Sequence, residues 1–214
     1  MKVIDRFNVF FFDLDGVLVN TEPLYFRFWK EACAFYGYKM SDQQALDMRS
    51  LDTLLGEELF ESFSPDLDYF QVREKRKELM SNYIQSHPIM LKDGAIEVLS
   101  YLKERGNKIY IVTANKIDKA LKTLKDVGLD KYVDDIISAK DAKRGKPFPY
   151  VYLDACQKVG VNPNEVIVFE DSPNGVKSSH AAGCYTVMVE DMTPYTPDMD
   201  YVDEHVKSLT ELMR

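Results

Sequence analysis

Cysteine and histidine are scarce in this sequence of 214 residues, and neither residue type forms a recognisable site. Cys33, Cys156 and Cys184 are far apart and odd in number, which fits neither a zinc site nor a disulfide framework. We therefore expect buried free thiols. The histidines also lack ligand spacing, so we expect packing or surface roles for them. They are His87, His180 and His205.

Long apolar runs and an excess of positive charge are also missing. No run of 18 apolar residues occurs, so no transmembrane helix is expected. Lys2, Asp5 and Arg6 stand where a signal peptide needs an apolar stretch, which predicts a cytoplasmic protein. The net charge of −8 argues against nucleic-acid and anionic-membrane partners. With 45% hydrophobic residues, the chain has enough apolar material for one large domain or a core with an insert.

The most informative stretch is a short apolar run followed by two acids. Val9–Phe12 is typical of a buried strand, and Asp13, Asp15 and Gly16 come directly after it. Residues i and i+2 of a strand point to the same side, and buried carboxylates need a divalent cation or a lysine nearby. Ordinary turn chemistry is the alternative interpretation. A calcium loop of the EF-hand type is excluded, because its twelfth position is Leu24 rather than Glu.

The next block, residues 21–86, has helical periodicity and no strand pattern. Phe28, Ala32 and Phe35 recur at helical spacing and predict an apolar stripe that packs in a core. After residue 87 the pattern becomes an alternation of strands and helices. Strands are predicted at 108–113, 135–138, 165–169 and 185–189, and helices at 93–104, 117–127, 149–159, 174–182 and about 208–213.

This order predicts an α/β fold: a Rossmann-like parallel sheet with helices on both faces, plus an inserted all-α cap. The first strand precedes the helical block and the other strands follow it. We therefore expect a core made of 1–20 and 87–214 and a cap domain of 21–86. An insert at this point lies over the carboxyl edge of the sheet, where it can act as a lid.

Polar groups follow four of the predicted strands, at the strand ends or in the loops just after them. They are Asp13 with Asp15, the run Thr113, Ala114 and Asn115, then Lys146, and finally Glu170 with Asp171. Parallel strands bring all these ends to one edge of the sheet, where ligands bind in open α/β folds. The set therefore converges in space although its members are far apart in the chain.

These four segments resemble, in order, the four motifs of the haloacid dehalogenase (HAD) superfamily. The helical insert resembles the small α-helical cap of its β-phosphoglucomutase-like phosphatase branch. The resemblance implies that Asp13 attacks phosphorus and forms an aspartyl-phosphate. It implies that Asp15 is the general acid and base. Phosphate oxygens would be held by Thr113, the amides of Ala114 and Asn115, and Lys146.

The charge of this set calls for a metal. Four carboxylates with one nearby lysine would repel a dianionic phosphate, and oxygen-only ligands select Mg²⁺. We expect as ligands the carboxylates of Asp13 and Asp171, the backbone carbonyl of Asp15, and Glu170 directly or through water.

Each residue also has a simpler interpretation. Thr113 is a possible helix N-cap. Lys143 competes with Lys146, which we prefer because a proline follows it, as in the family motif. Glu170 and Asp171 precede a helix start in which Ser172 is the expected cap.

We expect residues of the cap to determine which substrate binds. The family's mutase has a His four residues after the motif's Thr, here Thr21, but this chain has Tyr25, which does not titrate near neutral pH. We hypothesise that Arg49 contacts the substrate; a role in surface or cap packing is the alternative.

The sequence therefore predicts a Mg²⁺-dependent phosphomonoesterase for small phosphorylated metabolites, with sugar phosphates as the leading candidates. We expect it to be a monomer or weak dimer. A phosphosugar mutase of the β-phosphoglucomutase type is the alternative function, followed by a non-catalytic phosphate-binding module. Dehalogenase chemistry fits poorly, since those enzymes need no metal and lack a second acid at the position of Asp15. A signalling receiver domain also fits poorly, because it has no helical cap.

Overall fold

The computed structural model describes residues 2–213, and its centre is a parallel six-stranded sheet. The strands are β1 (Val9–Phe12), β2 (Lys108–Thr113), β3 (Asp135–Ser138), β4 (Val166–Glu170), β5 (Tyr185–Val189) and β6 (Glu204–Val206). Their order across the sheet is β3-β2-β1-β4-β5-β6, and every pairing is parallel. Because β1 lies in the middle, its carboxyl end opens at the centre of the sheet edge.

Helices cover both faces of this sheet. Phe10 and Phe12 of β1 pack on one face with residues of α5 and α6, whereas Phe11 packs on the other face with residues of α7. The alternation follows from the two-residue period of a strand. The helices are α1 (Glu22–Phe35), α2 (Asp42–Asp47), α3 (Thr53–Phe63), α4 (Tyr69–Ser86), α5 (Ala95–Glu104), α6 (Ile117–Asp126), α7 (Tyr150–Val159) and α8 (Pro173–Ala182). The predicted α/β fold class is confirmed.

Two predictions at the carboxyl-terminal end were wrong. No strand was predicted over β6, because a strand of three residues with two polar members has no clear period. The final helix predicted at about 208–213 is a 3₁₀ turn, Leu209–Met213. Leu209 and Leu212 still reach the core from it.

The four helices between β1 and α5 have an apolar cluster of their own. Trp29, Phe60 and Tyr69 form its aromatic centre, with the Trp29 and Tyr69 rings stacked 5.9 Å apart. The predicted burial of Phe35 was wrong: its side chain is 64% exposed. It ends α1, and its ring meets Lys75 rather than the cluster. The division into a 21–86 cap domain and a two-part core stays a prediction.

Two adjacent segments connect this helical block to the sheet. The Asn20 amide donates to the Met90 carbonyl at 2.8 Å, and the Lys92 amide donates to the Leu18 carbonyl at 2.9 Å. The connections therefore run side by side, a few residues from Asp15. All three cysteines are buried and free, as predicted. Among residues 2–213, no helix combines the length and the apolar character that crossing a membrane requires.

Candidate active site

The ends of β1 and β4 place three buried acids together. Asp13 follows β1, Glu170 ends β4 and Asp171 comes next in the chain. Each side chain offers a carboxylate oxygen within 4.8 Å of the others. The register of the two central strands explains this meeting, since Phe12 pairs with Phe169.

Lys146 reaches into this acidic group from the loop before α7. Its ammonium nitrogen lies 3.2 Å from Asp13 Oδ1 and also contacts the Glu170 carboxylate. Burial by itself would lower the pKa of Lys146, but the negative charges of Asp13 and Glu170 outweigh it and raise that pKa. Lys146 therefore stays charged. Lys143, the competing lysine of the sequence analysis, is exposed and lies over the Tyr150 ring.

Two of these acids keep a buried oxygen with no hydrogen-bond donor among residues 2–140 and 142–213, namely Glu170 Oε2 and Asp171 Oδ1. Asp13 Oδ1 is also buried, and its contact is the ion pair with Lys146 Nζ at 3.2 Å. Burial raises the pKa of Asp13 and of Asp171 well above the ordinary value, and neighbouring carboxylates add to the effect. Two buried oxygens without donors, with a third carboxylate oxygen within 4.8 Å, fit a hard divalent cation.

Asp15 lies outside this group of three and is held by two other residues. Thr21 Oγ1 donates a hydrogen bond of 2.5 Å to Asp15 Oδ1, and Asn115 Nδ2 donates one of 2.6 Å to Asp15 Oδ2. Both carboxylate oxygens are therefore oriented. The expected metal contact through the Asp15 backbone carbonyl stays a prediction.

Thr113 ends β2 and is buried. Its Oγ1 accepts a 3.2 Å hydrogen bond from the Asn115 amide. Lys116, not Thr113, is the N-cap of α6, so the simpler interpretation of Thr113 as a helix cap is wrong. Ala114 between them is exposed, which leaves this turn open to a ligand.

Two glycines make room for the acids. Gly16 has a φ of +79°, and a Cβ there would overlap the Asp171 carboxylate. A Cβ on Gly175, in the first turn of α8, would overlap the Glu170 carboxylate. The Gly175 amide donates to Ser172 Oγ at 3.0 Å, which confirms Ser172 as the cap of α8.

Arg49 connects the helical block to the acids. Its guanidinium donates to Glu22 Oε2 at 2.6 Å, to Thr193 Oγ1 at 3.0 Å and to the Asp171 carboxylate. The side chain is buried. Sequence reasoning found Arg49 but missed Glu22 and Thr193, which carry no motif. The hypothesis that Arg49 contacts the substrate stays a prediction.

Asp52 makes a second link between the helical block and the site. Its carboxylate accepts from the Gly145 amide at 2.7 Å and from Arg144 at 3.0 Å, and it caps α3 through the Leu54 amide. The Asp52 amide donates to the Lys146 carbonyl at 2.7 Å. The loop that carries Lys146 is thus attached to the start of α3.

Tyr152 of α7 contacts the site through Glu170. Its hydroxyl donates to the Glu170 carboxylate, and the side chain is completely buried in α7. The sequence did not predict this contact, because a tyrosine within the apolar face of a helix gives no indication of which residue its hydroxyl will meet.

Comparisons with known proteins agree with this geometry. The family model described as haloacid dehalogenase-like hydrolase matches residues 10–189. A "Phosphorylated carbohydrates phosphatase" of Thermotoga maritima is 32% identical, with 80% of each chain covered. The "Fructose-1-phosphate phosphatase YqaB" of Escherichia coli is 30% identical over 86% of this chain and 97% of its own. A β-phosphoglucomutase structure from Clostridium difficile superposes with a TM-score of 0.79 at 22% identity, over 96% of this chain and 93% of that one. The last similarity concerns the fold alone.

Proposed function

The chain belongs to the haloacid dehalogenase-like hydrolase family, and we propose that it is a Mg²⁺-dependent phosphatase for small phosphorylated metabolites, with sugar phosphates as the first candidates. The observation that carries this proposal is the buried group of Asp13, Glu170 and Asp171 around Lys146, next to the separately oriented Asp15. The names of the two relatives described above, a phosphatase of phosphorylated carbohydrates and a fructose-1-phosphate phosphatase, support the same class.

We propose that Asp13, Glu170 and Asp171 hold Mg²⁺, with the Asp15 carbonyl as a further ligand. The buried Glu170 Oε2 and Asp171 Oδ1, which have no donor, and the convergence of the three carboxylates within 4.8 Å support this assignment. Bound there, Mg²⁺ supplies positive charge that lets a phosphate dianion approach the acids. In its absence the excess of buried negative charge opposes substrate binding.

Asp13 is our candidate nucleophile. Its oxygen forms a bond to phosphorus while the bond from phosphorus to the ester oxygen breaks, which gives an aspartyl-phosphate. Lys146, 3.2 Å from Asp13 Oδ1, orients this carboxylate and offsets the charge of the phosphate. Water then attacks phosphorus, the acyl-phosphate P–O bond breaks and Asp13 is regenerated.

Asp15 is our candidate general acid and base. It would give its proton to the leaving ester oxygen in the first step and take a proton from water in the second. The hydrogen bonds from Thr21 and Asn115 set its orientation. Those bonds tie the acid–base group both to the start of α1 and to the turn after β2.

Thr113, Ala114 and Asn115 are our candidates for holding the phosphate oxygens. They form the turn between β2 and α6, and the exposed Ala114 supports access from the site. Backbone amides before a helix are suited to anions. The Asn115 amide would exchange its bond with Thr113 Oγ1 for one with phosphate.

Arg49 is our candidate for a substrate contact from the cap. To reach a substrate its guanidinium must leave the Asp171 carboxylate, which then becomes available to Mg²⁺. The Arg49→Ala variant should have a higher KM on the best substrate. An unchanged KM would remove this residue from the binding site.

The environment of Tyr25 favours a phosphatase over a mutase. Its hydroxyl lies 3.3 Å from Lys119 Nζ, and burial together with the charge of Asp15 raises its pKa well above the ordinary value. A phenol in this state cannot exchange protons with Asp15 near neutral pH. Cytoplasmic location and a monomeric or weakly dimeric state stay predictions.

The direct test is phosphate release from a panel of sugar and nucleotide monophosphates, with Mg²⁺ and with EDTA. We expect turnover that needs Mg²⁺ and is lost in Asp13→Asn. Asp154→Asn, an exposed acid on α7, is the control with the same charge change and should retain activity. If the wild type releases phosphate from no ester, the phosphatase proposal is wrong. β-Glucose 1-phosphate with a bisphosphate primer would then test the mutase.

A further inference from the structure

A group of basic side chains lies around the place where α4 of the helical block approaches α6 and the segment after β3, which we call the opening. We call this group the cationic rim, and it consists of Arg73, Arg76, Lys77, Lys116, Lys119 and Lys140. Desolvation lowers the pKa of Lys140 most, and the charges of Arg73, Lys77 and Lys116 lower it further. These four side chains therefore lie near one another. Helix α4 supplies three members and the sheet side supplies the other three.

The rim carries more charge than its surroundings neutralise. Lys77 pairs with Glu74, and the other five rim members have no ion-pair partner among residues 2–140 and 142–213. The whole chain has a net charge of −8, so six cations at one opening are a local reversal of its charge. Such a concentration of positive charge attracts an anion.

Arg76 is the most informative member. Its guanidinium carbon lies over two aromatic rings of α1, 4.9 Å from the centre of the Tyr25 ring and 4.8 Å from that of Trp29. These cation–π contacts do not use its N–H donors. Its Nε is buried and has no acceptor in the described part of the chain. A buried donor without a partner indicates that an acceptor comes from elsewhere.

A chain of contacts connects Arg76 to the catalytic acids. Tyr25, against which Arg76 stacks, lies 3.3 Å from Lys119 Nζ. Lys119 also donates to Asn115 Oδ1 at 3.0 Å, and Asn115 donates to Asp15 at 2.6 Å. Arg76 from α4 and Lys119 from α6 thus both contact Tyr25, and Lys119 reaches Asn115 of the proposed phosphate site. Lys119 remains exposed to solvent.

From these contacts, and resting on the function proposed above, we propose that Arg76 and Lys119 form a specificity site for a second anionic group, a carboxylate or a second phosphate, on the far end of the substrate. Arg76 offers paired edge donors that suit either anion. Lys119 adds a point charge from α6. Among the sugar phosphates proposed above, those that carry a second anion, phosphorylated sugar acids and sugar bisphosphates, are then preferred over those without one.

The test uses pairs of esters that differ in the second anion. Glucose 6-phosphate is compared with 6-phosphogluconate, and glycerol 3-phosphate with 3-phosphoglycerate, by kcat/KM with Mg²⁺. We expect the wild type to prefer the doubly anionic member by about tenfold or more. Arg76→Gln and Lys119→Gln should each lose about tenfold on that member and change less than about threefold on the neutral one.

Two matched controls use lysines on the same helices. Lys75→Gln on α4 and Lys122→Gln on α6 remove charges that already pair with Glu78 and Asp126. Both should keep the preference of the wild type. A preference of the wild type for neutral esters, or an equal loss on both members in Arg76→Gln, would overturn the inference.

Measurements of binding without turnover test the site for the second anion independently of the phosphatase proposal. Calorimetry with Asp13→Asn and Mg²⁺ measures the affinity for the same esters without turnover. Tighter binding of the doubly anionic member that depends on Arg76 supports the inference even when the wild type hydrolyses nothing. Hydrolysis without such a difference in binding supports the phosphatase and contradicts the specificity site.

Discussion

Replacing Asp13 by Asn should stabilise the metal-free protein while it abolishes activity. Five buried or oriented carboxylates meet at the site, and two cations, Lys146 and Arg49, face them. The acids outnumber the cations by three, and burial together with neighbouring carboxylates raises the pKa of Asp13, Glu22 and Asp171. Lys146 keeps Glu170 as a partner after the substitution, so no cation is left unpaired. Neutralising one such acid is expected to stabilise the fold by about 2 kcal/mol.

In thermal unfolding with EDTA, this corresponds to a rise in Tm of about 4–8 °C for a chain of this size. Asp154→Asn, which removes an exposed charge, should leave Tm unchanged. With Mg²⁺ present, the wild type should instead have a higher Tm than Asp13→Asn. At a hundredfold excess over Kd the wild type gains about 2.7 kcal/mol, whereas Asp13→Asn has lost a ligand and gains less.

The pH dependence gives a sharper test. Burial raises the pKa of Asp13 in the folded protein above its value in the unfolded chain. Between these two pKa values the folded state binds more protons, so metal-free stability falls as the pH rises. The advantage of Asp13→Asn should therefore be small near pH 4 and grow with pH until it levels off above the raised pKa. A variant less stable than the wild type at every pH would refute the reasoning.

Three further substitutions test other parts of the site. Gly175→Ala places a methyl group against the Glu170 carboxylate; we expect activity at saturating Mg²⁺ to fall about tenfold or more, measured by phosphate release. Tyr152→Phe removes the hydroxyl that donates to Glu170, so the Mg²⁺ concentration for half-maximal rate should rise about tenfold. Asp52→Ala removes the α3 cap and the attachment to the loop of Lys146; Tm should fall with a loss of about 1–2 kcal/mol, and kcat/KM should fall with it.

Each of these variants has a matched control. Lys177→Ala changes an exposed residue of α8, Tyr150→Phe removes a hydroxyl at the start of α7, and Asp66→Ala removes an exposed acid before α4. All three should behave like the wild type. Normal activity in Gly175→Ala, an unchanged Mg²⁺ requirement in Tyr152→Phe, or an unchanged Tm in Asp52→Ala would contradict the corresponding role.

Much of the fold could be predicted because it depends on local patterns. The apolar runs before Asp13 and Glu170 predict buried parallel strands, and their two-residue period places Phe11 on the face opposite Phe10. Parallel strands in turn bring Asp13 and Asp171 together. The prediction failed for β6, because a strand of three residues is too short to show a two-residue period.

The partners of each side chain could not be predicted in the same way. Nothing in the sequence pairs Arg49 with Glu22 and Asp171, Tyr152 with Glu170, or Arg76 with the Tyr25 and Trp29 rings, since these contacts depend on how the helices pack. The same holds for the 64% exposure of Phe35, at a helix end that α4 does not cover with apolar groups.

The sequence by itself determined the fold class, the position of the helical insert and the set of polar groups at one sheet edge, because strand and helix periods and chain order are local properties. Only the tertiary structure decided which carboxylate oxygens are left without donors, how Asp15 is oriented and which cations surround the opening. Those properties depend on distances between residues far apart in the chain. Burial increases the free energy that each unpaired polar or charged group costs.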